Sequence, residues 1–461
     1  MSASIRERGS IALDESRPLW QSLGVFLLPL MLSNVLQSLG QTANSVYLGR
    51  LVGVSSLAAV SAIFPLVFFL ISFLIGIGAG SSILIGQAFG ARDEWKVREI
   101  AGTTLSLTIV LGILVGAIGG TFAEPLLRAL AVPADILPIS VSYARITFFS
   151  LPLLFTYLTY TTFLRGVGDT RTPFVVLIFG TMLTFALTPA FIRGWFGIPA
   201  FGTNGAAIGN IVSTTLSLAG LLVYLGRTHN PLAFDRVMLR HLGIRPQLAL
   251  TIARIGIPTS INLAMVSLSE IAVLAFVNRF GSTALAAYGA VNQIVSYAQF
   301  PAISLGIAAS IFGAQSIGAG RSDRLGTIVR SAVALNYAIE GLLIAIMYVF
   351  ATHILTLFLT VPSTVAIARH LLTITLWSYA VFGNARIISA IMVSTGTIVW
   401  PTLISIGSIW LVEVPVAYVL MGRIGLDGVW YGYPAAYLAG LAGQLVYYYA
   451  FWKRKPVARL V

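Results

Sequence analysis

Four ionisable side chains, Glu270, Glu340, Arg386 and Glu413, stand in or beside stretches that otherwise carry almost no charge. A charge at the centre of a bilayer costs about 2.5–3.5 kcal/mol on insertion scales, so each must border a wet cavity or meet a partner. A carboxylate so placed can take up a proton when unpaired and release it on meeting an arginine. Protonation of Glu270 or Glu413 then competes with an organic cation, or with Arg386, and the two ligands are bound alternately. The plainer alternative is a structural ion pair between Arg386 and Glu413 that braces two helices, with Glu340 held neutral by a neighbouring helix. Sodium is an equally open coupling ion, because a carboxylate among amide and hydroxyl oxygens makes a hard-cation site.

At comparable depth the first half of the chain offers only neutral polar groups: Gln37, Gln41, Asn44, Thr184 and Thr188. Candidate cavity walls are Gln37 and Gln41, with Asn262, Met265, Tyr288, Asn292 and Gln299 from the second half. Mixed aromatic, methionine and amide surfaces suit varied amphipathic ligands, although each of these residues also serves ordinary helix packing. Other chemistry is poorly provided for. The chain has no cysteine, and His229, His241, His353 and His370 are scattered, so no enzyme activity, metal site or cofactor is expected. Gly76, Gly78 and Gly80 lie inside a charge-free run with no preceding strand, which argues for close helix packing rather than a dinucleotide fingerprint.

The elements that must hold these groups follow from composition. Of the 461 residues, 57% are apolar and only 9% charged, against about a quarter charged in soluble chains. Charge-free runs such as residues 51–91 and 280–320 exceed the roughly 20 residues that span a hydrocarbon core. Splitting them at Gly, Pro and Asn turns predicts an all-α integral membrane protein with twelve transmembrane helices. The net charge of +13 needs no nucleic acid: twenty of the 28 basic residues, Arg6, Arg8 and Arg17 among them, fall on one side of this topology. The excess of Lys and Arg on inner loops then predicts a multi-pass protein of the inner (cytoplasmic) membrane, with both termini cytoplasmic. The first apolar run is too long for a signal peptide, and Glu7, Asp14 and Glu15 precede it, so it reads as a permanent helix.

A repeat of about 228 residues organises the chain. Pro29 pairs with Pro258, Leu57-Ala58-Ala59 with Leu285-Ala286-Ala287, Gln87 to Ala91 with Gln315 to Ala319, and Gly168 to Pro173 with Gly396 to Pro401. The expected division is a cytoplasmic segment 1–22, a first six-helix lobe 23–226, a linker 227–250, a second lobe 251–452 and a tail 453–461. Six spans per half put the pseudo-symmetric lobes in the same orientation, the arrangement of carriers that bind between repeats and alternate access. Pro29 and Pro258 sit where a lost backbone hydrogen bond can bend a membrane helix. Trp195, Trp400, Trp430 and Trp452 read as interface markers.

The matched segments resemble the MATE (multidrug and toxic compound extrusion) family. The carriers are Tyr47-Leu48-Gly49-Arg50, the run from Gly76 to Asp93, Leu164 to Pro173, and Val277 to Gly281 with Ala286 to Gly289, the last looking most like the DinF branch. The resemblance implies twelve helices in two lobes, a central cavity, and export of small organic compounds in exchange for H+ or Na+. It also exposes departures. Where the DinF-like pattern carries an aspartate on the first helix this chain has Asn44, and Thr184 and Thr188 replace the usual Asn and Asp before Pro189. Neither asparagine nor threonine releases a proton, so the coupling set passes to Glu270, Glu413 and Arg386, with Asn44 as the first-lobe remnant. A helix-seven carboxylate is similar to the arrangement in the NorM-like and eukaryotic branches. The expected function is a secondary antiporter of amphipathic, cationic compounds, acting as a monomer in the lipid bilayer. A flippase for lipid-linked oligosaccharide, from the same superfamily, is the alternative.

Overall fold

The structure, a computed structural model, describes residues 18–130, 132–197 and 199–461. Arg6, Arg8, Arg17 and the acidic residues of the first segment lie outside the described residues. Lipid offers no water to exposed N–H and C=O groups, so a chain this apolar must satisfy its backbone within each segment. Among the described residues the regular structure is accordingly helical throughout. The first half holds α1 (Leu19–Tyr47), α2 (Val54–Gly90), α3 (Glu94–Thr121), α4 (Ala123–Ala129), α5 (Leu137–Phe149), α6 (Leu151–Gly166), α7 (Arg171–Arg193) and α8 (Thr203–Arg227). The linker contributes α9 (Arg236–His241). The second half holds α10 (Pro246–Asn278), α11 (Gly281–Gly318), α12 (Leu325–Val349), α13 (Ala351–Thr356), α14 (Pro362–Thr375) and α15 (Ser378–Ser394). It ends with α16 (Val399–Gly407), α17 (Val414–Ile424), α18 (Leu426–Trp430) and α19 (Gly432–Ala450).

Nine described helices are long and apolar enough to cross a membrane, and the pairs α5–α6 and α14–α15, bent by 49° and 42°, bring the number to eleven. The 19-residue α19 is long enough to span as well but is not among these apolar helices. Both bent pairs occupy the same place in the repeat, as do the short helices α4 and α13. Backbone geometry repeats as well: Gly53 and Gly281, Arg92 and Gly320, and Gly168 and Gly396 all take positive φ at a spacing of 228 residues. These turns need the left-handed region that glycine enters without steric cost. Asp93 caps α3 by accepting from the Lys96 amide at 2.9 Å, and Asp169 holds the start of α7 through the Thr172 amide at 2.9 Å.

Two compact units result, and their boundaries fall at the paired prolines. One is Leu32–Ile257; the other joins Pro258–Leu460 to the described part of the segment ending at Met31. The first stretch of α1 therefore belongs to the second-half unit, where Leu23, Phe26, Leu27 and Leu30 are buried with Leu305 and Phe312. Phe26 meets Phe312 edge to face at 5.5 Å. Reciprocally, the first stretch of α10 packs in the first-half unit: a Cβ on Gly80 would stand 2.8 Å from the Ile252 carbonyl oxygen, so only glycine admits that approach. This differs from the expected division at 23–226 and 251–452. Pro29 and Pro258 cannot donate to the helical ladder, and each interrupts its helix next to where the chain changes unit.

Candidate functional site

Glu270, late in α10, is the centre of a polar cluster that joins an acidic side chain of a membrane-spanning helix to hydroxyl donors. Its Oε2 accepts from the Tyr288 hydroxyl of α11 at 2.8 Å and from the Tyr433 hydroxyl of α19 at 3.1 Å. The two phenol oxygens are themselves 3.2 Å apart. Hydrogen bonds to an ionised group offset more desolvation than neutral ones, so two donors on one oxygen make this partly buried carboxylate tolerable. Proton counting gives the triad its chemistry. With Glu270 ionised, both phenol protons point at the carboxylate; when Glu270 gains a proton it can donate to one phenol, which then turns to the other.

The walls are aromatic. Tyr288 stacks on Trp430, with centroids 5.5 Å apart and planes at 9°, and Trp430 is fully buried. Tyr433 continues through Tyr437, 6.4 Å away, to Tyr379 at a further 5.4 Å and Phe382 at 5.1 Å from Tyr437. Spacing of four residues puts Tyr433 and Tyr437 on one face of α19.

Glu413 closes the cluster. It ends the π-helical turn Ser408–Glu413, just before Pro415, and is 3% exposed with no hydrogen-bond partner for Oε1. The charge of Glu270 reaches it. Such π-turns re-aim side chains and gather at functional sites. Gly432 explains the proximity: a Cβ there would stand 2.9 Å from the Glu413 carbonyl oxygen and 3.1 Å from Ala417 Cβ. The residue next to it is Tyr433.

Of the other residues singled out on sequence, Asn292 reaches Tyr288 and Gln299 reaches Tyr379, so both belong to the cluster. Met265 contributes its carbonyl, which accepts from Trp410 Nε1 at 3.3 Å. Asn262 is buried with no partner for its Nδ2. Gln37 and Gln41 lie exposed on α1 in the first-half unit, and Asn44 one turn on leaves a buried Oδ1 without a partner. Nearby in that unit Thr184 bonds back to the Gly180 carbonyl at 2.9 Å, and Thr188 is fully buried with its hydroxyl unpartnered.

Two expectations need correction. Arg386 forms no ion pair with Glu413 or Glu270 among the described residues, and its Nε is buried without a partner. It sits seven residues beyond Tyr379 on α15, about 10 Å along the axis, on the face packed against Gly306 of α11. Trp430 is no interface marker but the stacking partner of Tyr288. Glu340 also stays apart. It is fully buried on α12, one turn from Asn336, which donates to the Ala380 carbonyl at 2.9 Å and to Asn384 at 3.1 Å.

Sequence reasoning named Tyr288, misread Trp430, and missed Tyr379, Tyr433 and Tyr437. The available signal was the i, i+4 tyrosine pair directly after the Gly428-x-Trp430-x-Gly432 turn. No group of three His, Cys, Asp or Glu side chains that could hold a metal occurs among the described residues.

Comparison with known proteins follows the repeat. The MatE family profile matches residues 29–190 and 258–419, one stretch in each half. The chain is 51% identical over 454 residues to "Probable multidrug resistance protein YoeA" of Bacillus subtilis (strain 168), covering 98% of each. It is 26% identical over 435 residues to "Probable multidrug resistance protein YpnP" of the same organism, covering 94% of this chain and 96% of that one. Its fold matches the solved outward-facing conformation of a multidrug resistance MATE family transporter of the MOP superfamily with a TM-score of 0.84 at 22% identity, over 92% of this chain and 94% of that one. Paired matches across both halves, together with near-complete coverage of a relative at 51% identity, establish that the chain belongs to the MatE family of membrane transporters.

Proposed function

We propose that the protein exports amphipathic, cationic organic compounds, multidrug in range, by exchanging them for inward-moving H+ or Na+ through alternating access. The observation that carries this reading is the Glu270 carboxylate with two phenol donors and a second carboxyl, Glu413, in an aromatic-walled setting within one unit. An organic cation finds ring faces and negative charge there. A proton finds Glu270, and a sodium ion finds carboxylate, phenol and amide oxygens. Either coupling ion neutralises the charge that holds the cation, so cargo and ion displace each other. The phenols, rather than Arg386, take up the carboxylate between loads. Basic residues concentrated on one side support a cytoplasmic-membrane protein with both termini inside, and the exchange needs one chain alone.

Dye efflux from proteoliposomes, with H+ and Na+ gradients imposed separately, tests the proposal. At least one gradient drives the unaltered protein. Glu270→Gln loses that dependence by roughly tenfold or more, the worth of a charge-assisted hydrogen bond of about 1.5 kcal/mol. Unchanged gradient dependence in both Glu270→Gln and Glu413→Gln overturns the reading.

A further inference from the structure

The linker between the halves is docked rather than free. In the first-half unit Arg98 of α3 donates to both carboxylate oxygens of Asp235, at 2.9 and 3.0 Å. Glu99 pairs with Arg245, and the Gly243 amide donates to Ser106 Oγ at 2.9 Å. A Cβ on Gly102 would collide with the His241 carbonyl oxygen. These ties run from Arg98 to Ser106 of α3, about 12 Å along its axis, well into the charge-free run that starts at Ile100. The segment His241–Gly243 thus lies level with the apolar, charge-free part of α3.

What this docked segment leaves outward is unusual for a loop. Met238 and His241 face inward, while Phe234, Val237, Leu239, Leu242 and Ile244 are exposed. Beside them Trp95, 63% exposed, meets the His241 ring at 4.3 Å. Within and flanking this segment in the chain stand Arg227, Arg236, Arg240 and Arg254, all exposed and none in an ion pair among the described residues. The only acid of the segment, Asp235, is spent on Arg98. Apolar side chains, a tryptophan and unpaired arginines on one surface match the headgroup layer of an anionic bilayer, which attracts basic juxtamembrane segments.

We infer that the linker surface around α9 is a binding site for anionic phospholipid headgroups of the adjoining leaflet, with Arg236 and Arg240 on phosphate and Leu239 and Trp95 inserted beside the acyl chains. The site rests on membrane insertion of the chain but not on the coupling chemistry of Glu270, so the two readings fail separately. Because the protein lacks cysteine, Leu239→Cys provides a unique position for a fluorescent label in the full chain, with Asp323→Cys, exposed on another loop, as the comparison. In nanodiscs of phosphatidylcholine with phosphatidylglycerol, the label at 239 is expected to be several-fold less quenched by aqueous iodide than the label at 323, and quenched by nitroxide-bearing lipid. Protection should fall in phosphatidylcholine alone, in high salt, and in the Arg227→Gln, Arg236→Gln, Arg240→Gln variant. Equal iodide access at both positions overturns the site. So does protection that ignores phosphatidylglycerol.

Discussion

Substituting Gly432 by alanine tests whether close helix approach builds the Glu270 cluster. Ordinary carbon–carbon contacts lie at about 3.5–4.0 Å, whereas the new Cβ would stand 3.1 Å from Ala417 Cβ and 2.9 Å from the Glu413 carbonyl oxygen. The neighbouring backbone at Glu413–Ala417 must retreat from α19 by roughly half an ångström. Overpacking of this kind costs about 1–3 kcal/mol. Part of the movement falls on Tyr433, whose 3.1 Å bond to Glu270 has little slack before it ceases to be a hydrogen bond. Gly432→Ala should therefore lower the thermal midpoint of the purified protein and reduce gradient-driven efflux together. Ala417→Gly, which removes one of the two clashing atoms, should restore part of both losses in the double variant. Thermal unfolding followed by loss of the monodisperse chromatographic peak, run beside the efflux assay, measures the pair. A Gly432→Ala protein as stable and as active as the unaltered chain refutes the packing argument.

The repeat aligns Glu270 with Gln41, so Gln41→Glu combined with Glu270→Gln moves the acid to the other half; efflux should stay at the Glu270→Gln level, and recovery in the proteoliposome assay would mean that a carboxylate suffices without phenol donors. Asp235 carries the pH prediction. Burial works to raise its pKa, but the amides of Met238 and Val237 and the charge and hydrogen bonds of Arg98 outweigh it and leave the value below the usual carboxylate range. A depressed folded-state value means that the ties to the linker are fully present above the unfolded value of 3.8 and are lost as pH falls below it. Proteolysis of the linker in nanodiscs should stay slow at neutral pH and quicken below about pH 4, while Asp235→Asn should be cut more readily at neutral pH and show little further change on acidification.

Sequence made the fold legible where it constrained backbone. The matched stretches Gly168 to Pro173 and Gly396 to Pro401 demanded the same turns, and charge-free runs demanded helices. The acids were legible because Glu270 and Glu413 are rare in such runs. Their partners were not: tyrosines occur throughout these helices, and nothing short of helix rotation distinguishes Tyr433, turned toward Glu270, from Tyr431, left exposed. The same gap misplaced Arg386, since adjacency in sequence order between α15 and the turn at Glu413 says nothing about which face carries the guanidinium. The exchange of leading segments was hidden for another reason. Pro29 and Pro258 announce where a helix weakens, but the bundle that accepts the freed piece is decided by fit, as with Phe26 against Phe312.

Duplication and chemistry have therefore parted company in this chain. The two halves keep turns, short helices and bent pairs in register, yet none of the three members of the Glu270 triad is repeated: the matching positions are Gln41 for Glu270, Val60 for Tyr288 and, with Asn204-Gly205 set against Asp427-Gly428 before the last helix of each half, Asn210 for Tyr433. A scaffold that needs both copies to form its membrane-spanning architecture can still place its titratable load in one. Backbone positions such as Gly53 and Gly281 are held in both halves by steric necessity. The Glu270 carboxylate is held by the hydroxyls of Tyr288 and Tyr433, so substituting those donors, and not the duplicated turns, is what should separate transport from folding.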